Sequence, residues 1–127
     1  MDNKVRVVGL TGGIGTGKST AAEYLKKKGF AHIDADQIGR DITADGSPML
    51  LVLDGIFGPT GEYGVEGFDI LREDGSLDRK ALASIVFTDM KKKLKLDEVM
   101  FKAIIAETKR LVEVYSQDDP VGILIDA

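Results

Sequence analysis

The chain has 127 residues, 43% of them hydrophobic, which suits one domain with a single core. Its formal charge of −4 argues against a broad nucleic-acid-binding surface, although a local nest of N–H groups can hold phosphate on an acidic protein. There is no cysteine, which excludes disulfides, a thiol nucleophile and a cysteine zinc site. The first predicted element is a strand over Lys4–Leu10, Val-rich and apolar on both faces apart from Arg6, as in a central parallel strand. Gly12 to Ser19 then has the phosphate-loop pattern Gly-x-x-x-x-Gly-Lys-Ser. A helix comes next over Lys18–Lys28, with three lysines in its last turn to complement the dipole and Gly29 offering a C′ position.

The loop therefore joins a strand to a helix N-terminus, where N–H groups are unpaired and the helix dipole is positive. Its glycines let the backbone curl around a polyphosphate. In that setting Lys18 reaches the β- and γ-phosphates and the Ser19 hydroxyl ligates Mg²⁺. A glycine-rich turn without a ligand is the alternative, and the agreement of motif and context argues against it. Val5–Leu10 is too short for a signal peptide and no segment is long and apolar enough to cross a bilayer, so the expectation is a soluble, cytoplasmic protein without a membrane partner.

Ala31–Asp34 is predicted as the second strand, completing a right-handed βαβ unit with a parallel pair. Asp34 and Asp36 then fall just past its C-terminal end, on the rim from which the phosphate loop also leaves. A carboxylate there can accept a proton from an attacking hydroxyl or hold a hydrated metal. Asp36 also suits an N-cap for a helix over Asp36–Ala44, and the two roles are compatible. Arg40, four residues on, either pairs with Asp36 or points at an anionic substrate. His32 stands by itself inside the strand, which favours a structural role over metal binding or base catalysis.

Asp45-Gly46-Ser47-Pro48 is a turn, with Pro48 opening a helix over Met49–Phe57. Gly58–Leu77 is irregular, with a small hairpin at Asp74-Gly75. Asp78 is an N-cap for a helix across Ala81–Phe87, and Arg79 beside it reads first as a surface residue and second as a substrate contact. A long helix covers Lys91–Ser116 with Met100, Ile104, Thr108, Leu111 and Tyr115 on one face. Lys91-Lys92-Lys93 reads as a solvated helix start. Val121–Ile125 is the third strand, and Asp126 at its end either holds the metal or turns the chain.

Leu10–Thr20 is similar to the opening of dephospho-coenzyme A kinases. So are Ile33-Asp34-Ala35-Asp36-Gln37-Ile38-Gly39-Arg40, Phe57-Gly58, Asp74–Arg79, Leu82 and Phe87. The resemblance covers most of the chain. It implies an α/β phosphate-loop NTPase-type fold, a parallel sheet with flanking helices, incomplete at the C-terminus. It also implies transfer of the ATP γ-phosphoryl group to the ribose 3′-hydroxyl of dephospho-coenzyme A, the final step of coenzyme A biosynthesis, with ATP and Mg²⁺ as cofactors. By this resemblance Gly13, Ile14, Gly15, Thr16, Gly17, Lys18, Ser19 and Thr20 hold ATP and Ser19 helps hold Mg²⁺, with Asp126, from its place at a strand end, as the other metal candidate. Asp36 is the base, with Asp34 second to it. Arg40 contacts a substrate phosphate or the reacting group, and Arg79 joins the substrate side.

Phe101 and Lys102 stand where the family usually has His-Pro, and the loop from Pro59 to Glu73 looks longer than usual. The expected organisation is one domain over 1–127, with a helical substrate-side insertion at about 45–117, ending before the family's Pro-Leu-Leu segment and lid. That reading also implies strand order two, three, one, an exposed first strand that invites self-association, and little kinase activity. Two other readings stand beside it: a kinase of the shikimate kinase type, and a nucleotide-binding module without turnover.

Overall fold

The structure, a computed structural model, describes residues 5–11 and 17–127. Its elements run β1 (Val7–Leu10), α1 (Lys18–Lys27), β2 (Phe30–Asp34), α2 (Ala35–Asp41), α3 (Met49–Phe57), α4 (Arg79–Val86), α5 (Met90–Ser116) and β3 (Gly122–Asp126). They fall into two compact units. The described residues up to Ile38 together with Ile104–Ala127 form one, and Gly39–Ala103 the other.

In the first unit three strands form a parallel sheet, ordered β1-β3-β2 among the described residues. This is the order two, three, one. β3 lies in the middle because Gly-Ile-Leu-Ile is apolar on both faces, and Ile123 and Leu124 are fully buried there. β1, whose composition alone suits a central strand, is the edge strand that this order implies. Only β3 pairs with it among the described residues, and Val7 and Gly9 are exposed. α1 packs against β2 and β3 and buries Ala22. It begins after Gly17, whose φ of 80° is left-handed, and ends with Gly29 at φ 96°, donating its N–H to the Lys26 carbonyl.

α2 starts one residue before the expected Asp36 and stops at Asp41 rather than near Ala44. Past Asp41 the Thr43 N–H reaches back only three residues, to the Arg40 carbonyl at 3.3 Å, and the Thr43 hydroxyl donates to the carbonyls of Gly39 and Arg40, both at 3.2 Å.

The second unit has its own core of Leu50, Leu53, Phe57, Ile70, Leu77, Leu82, Ile85 and Val86. α3 contributes Leu50, Leu53 and Phe57, a helical stripe. Asp78 caps α4 by accepting the Ala81 N–H at 3.1 Å, as its position suggested, though the helix begins two residues earlier than expected. The hairpin at Asp74-Gly75 reduces to one antiparallel bridge, Leu71 with Leu77, closed by the Arg72 N–H on the Ser76 carbonyl. Along α5 the expected stripe from Met100 to Tyr115 is half-buried, and no residue of that helix is fully buried. No helix among the described residues is long and apolar enough to cross a membrane.

Candidate active site

The parallel register sets Leu10 beside Asp126 and Asp126 beside Asp34. These are the last residues of β1, β3 and β2, so one row of the sheet's C-terminal rim carries two carboxylates and the residue from which the glycine loop departs. Residues in parallel register project to the same face. His32, two positions before Asp34, projects to that face as well.

Lys18, the first residue of α1, reaches this row. Its ammonium pairs with Oδ1 of Asp126 and donates to the Ala127 carbonyl at 3.0 Å. Oδ2 of Asp126 lies 3.2 Å from Nε2 of His32. The three side chains are half-buried, with 16% of Asp126 exposed. Oδ1 is buried against the Lys18 ammonium and takes no further partner among the described residues.

Charge follows geometry. The bond from Lys18 holds the Asp126 carboxyl below its ordinary range, against the opposing effect of desolvation, and His32 adds to the lowering. Lys18 is raised in turn, first by Asp126 and then, more weakly, by the fields of Asp36 and Asp34.

Asp34 and Asp36 divide the roles that the sequence left joined on Asp36. Asp34 is the helix cap: its Oδ1 accepts the N–H groups of Asp36 at 2.9 Å and Gln37 at 3.2 Å. Asp36 sits inside the first turn of α2, exposed, so the capping role expected for it belongs to its neighbour. Ser19 and Thr20 lie exposed on the first turn of α1 and line an open groove with Glu23, Tyr24 and Lys27. Gly17 adjoins them at the helix start, while Gly13, Ile14, Gly15 and Thr16 lie outside the described residues.

Arg40 is in the last turn of α2, and Arg79 opens α4; both belong to the second unit. One guanidinium N–H of Arg79 goes to the Thr43 carbonyl at 3.4 Å, a bracing contact within that unit. His32 is the residue whose connection sequence reasoning missed. The signal was present: strand alternation puts it on the face of Asp34, and the strand order puts Asp126 next door.

A family model described as dephospho-CoA kinase matches residues 6–126. A dephospho-CoA kinase from Corynebacterium glutamicum is 46% identical over 117 residues, covering 91% of this chain and 55% of that protein. One from Shouchella clausii is 35% identical over 119 residues, covering 94% of this chain and 56% of that protein. Among solved structures, the dephospho-CoA kinase from Campylobacter jejuni superposes with a TM-score of 0.69 at 26% identity, over 93% of this chain and 55% of that one. The chain thus spans about half the length of the curated relatives it matches.

Proposed function

The chain belongs to the dephospho-CoA kinase family, and from that premise we propose that it serves ATP-dependent phosphoryl transfer to the ribose 3′-hydroxyl of dephospho-coenzyme A. The observation that carries the reading is the pairing of Lys18 with Asp126 at the sheet rim, where Asp126 stands in register between Asp34 and Leu10, next to the start of the glycine loop. A cytoplasmic location goes with it, since ATP is the donor.

Each residue then has a task. Polyphosphate takes the Lys18 ammonium from Asp126, and the free N–H groups at the start of α1, with Ser19 and Thr20 beside them, hold the phosphate oxygens. The phosphate-loop pattern assigns Gly13, Ile14, Gly15, Thr16 and Gly17 to the same phosphates. Asp36 accepts the proton of the 3′-hydroxyl as its oxygen bonds to the γ-phosphorus and the bond to the β-γ bridging oxygen breaks, releasing ADP. Its exposure and freedom from capping suit that task. Asp34 fixes the turn that presents it. Arg40 balances charge on the transferred group or a substrate phosphate, and Arg79 contributes its remaining donors to the substrate side.

Mg²⁺, when bound with ATP, supplies a divalent counter-charge to the β- and γ-phosphates. The residues fit it. Ser19 and Asp126 offer hard oxygen donors, and Oδ1 of Asp126 is a buried acceptor whose partner, Lys18, is the group that phosphate withdraws. Among the described residues no group of three His, Asp or Glu could hold a metal.

A second reading is a nucleotide-binding protein that does not turn over unaided. It is favoured by the chain's spanning about half the length of its relatives. ATP binding measured alongside ADP release over a panel of hydroxyl acceptors separates the readings. Release dependent on dephospho-coenzyme A supports the kinase. ATP binding with no productive acceptor supports the second reading, release with shikimate points to the other kinase class, and absence of ATP binding defeats all three.

A further inference from the structure

His32 has no task in the account above, yet it makes the second contact to Asp126. Its Nε2 lies 3.2 Å from Oδ2 while Oδ1 faces Lys18. Asp126 is the final residue of β3, at the end of the strand ladder. His32 is two residues inside β2, its backbone in register with Leu124 and its side chain 25% exposed. One partner is therefore anchored within the sheet and the other terminal to it.

A mere staple between the strands would be redundant. β2 and β3 already pair in register from Phe30 with Gly122 through Asp34 with Asp126. What the contact adds is orientation of a carboxylate. When phosphate draws Lys18 away, Asp126 loses the partner of Oδ1 and is free to rotate unless something else holds it. A ring N–H donated to the distal oxygen of a metal-directed carboxylate is the kind of outer contact that tunes metal sites.

We propose that His32 is a positioning residue. It clamps Oδ2 of Asp126, so that Oδ1 stays aimed at Lys18 in the empty site and at Mg²⁺ once the nucleotide has engaged Lys18. The inference rests on the kinase reading, with Mg²⁺ carried on the nucleotide.

The test is binding of a fluorescent ATP analogue to this chain, with Mg²⁺ and then with a chelator in its place. His32→Ala is expected to weaken binding about 10–100-fold with Mg²⁺ and to leave chelator-condition binding unchanged. His32→Phe, which keeps the ring volume but lacks a donor, should behave likewise. His32→Gln, which keeps a donor, should recover most of the affinity. In an Asp126→Asn background, loss of His32 should add nothing. Thermal unfolding monitors the fold, and if the Ala variant does not fold, the contrast between Phe and Gln decides. Equal losses with and without Mg²⁺, or no loss with Mg²⁺, overturn the positioning role and leave the kinase reading standing. No nucleotide binding by the parent chain in either condition overturns both.

Discussion

Asp34 accepts two N–H groups from the first turn of α2, and Asp36 none. The two aspartates should therefore separate cleanly on substitution. Asp34→Ala removes an N-cap and is expected to cost about 0.5–2 kcal/mol. Asp36→Ala, at an exposed position, should stay within about 0.5 kcal/mol. Urea unfolding of both variants measures this, and equal costs would return the capping role to Asp36. Lys18→Ala should weaken ATP binding roughly tenfold or more, as expected for the loss of charge-assisted hydrogen bonds to phosphate. Unchanged affinity would remove Lys18 from the phosphate site. The same lysine sets a pH dependence. Asp126 is lowered by Lys18, so its share of stability is present above the unfolded carboxylate value of about 3.9 and is lost as pH falls through the depressed folded value. Lys18 is raised, so its share is present below the unfolded lysine value of about 10.4 and is lost as pH rises past the folded one. Stability from this pair should hold across neutral pH and fall in strong acid. Comparison of parent and Asp126→Asn at about pH 6 and about pH 3, on either side of the unfolded carboxylate value, checks it. The variant should lose less between the two, and identical losses would show that the pair contributes nothing.

At the scale of elements, the junction of α1 with β2 depends on one glycine. Gly29 has φ 96°, and a Cβ there would lie 2.9 Å from Cγ2 of Val121, just before β3. Gly29 also accepts the Val121 N–H on its carbonyl at 3.2 Å, so the turn that ends α1 is tied to the strand carrying Asp126. Gly29→Ala combines left-handed strain of about 1–2 kcal/mol with that close contact. Thermal unfolding should report a loss of at least that strain, and a neutral result would mean that the turn relaxes freely. α5 differs from α3 in kind. α3 sinks three residues into a core, whereas the 27 residues of α5 contribute a half-buried stripe and no fully buried side chain. Its length is supported by exposed pairs one turn apart, such as Lys93 with Asp97 and Lys102 with Glu98, each of which solvent screens to a small contribution.

At the largest scale, among the described residues one side of β1 is left without a neighbouring strand. β1 pairs with β3 on one side, and Val7 is 47% exposed. A Val-rich parallel edge of this kind is a template for another chain. We propose that the protein self-associates through it. Sedimentation velocity over a concentration series should show mass-action growth, and Val7→Lys, placing a charge on the edge, should suppress it. A monomer at every concentration, in parent and variant alike, would count against the edge as an interface.

Much of this was legible in the chain itself, for reasons that lie in local chemistry. The boundaries of α3, the cap at Asp78 and the end of α1 at Gly29 come from helix periodicity, a side chain that accepts an N–H, and a residue that tolerates positive φ. The motif Gly12 to Ser19 names its chemistry through spacing, because phosphate recognition by backbone N–H groups is a property of a few consecutive residues. Other features could not be read that way. Asp34 and Asp36 are both good caps by type, and only the helix start at Ala35 decided between them. β1 reads as a buried strand by composition, but exposure depends on which strands lie beside it. His32 looked solitary because its partner is 94 residues away along the chain. Sequence determined which groups could accept, donate or carry charge; tertiary structure decided which of them met, since parallel register brings the ends of distant strands into one row.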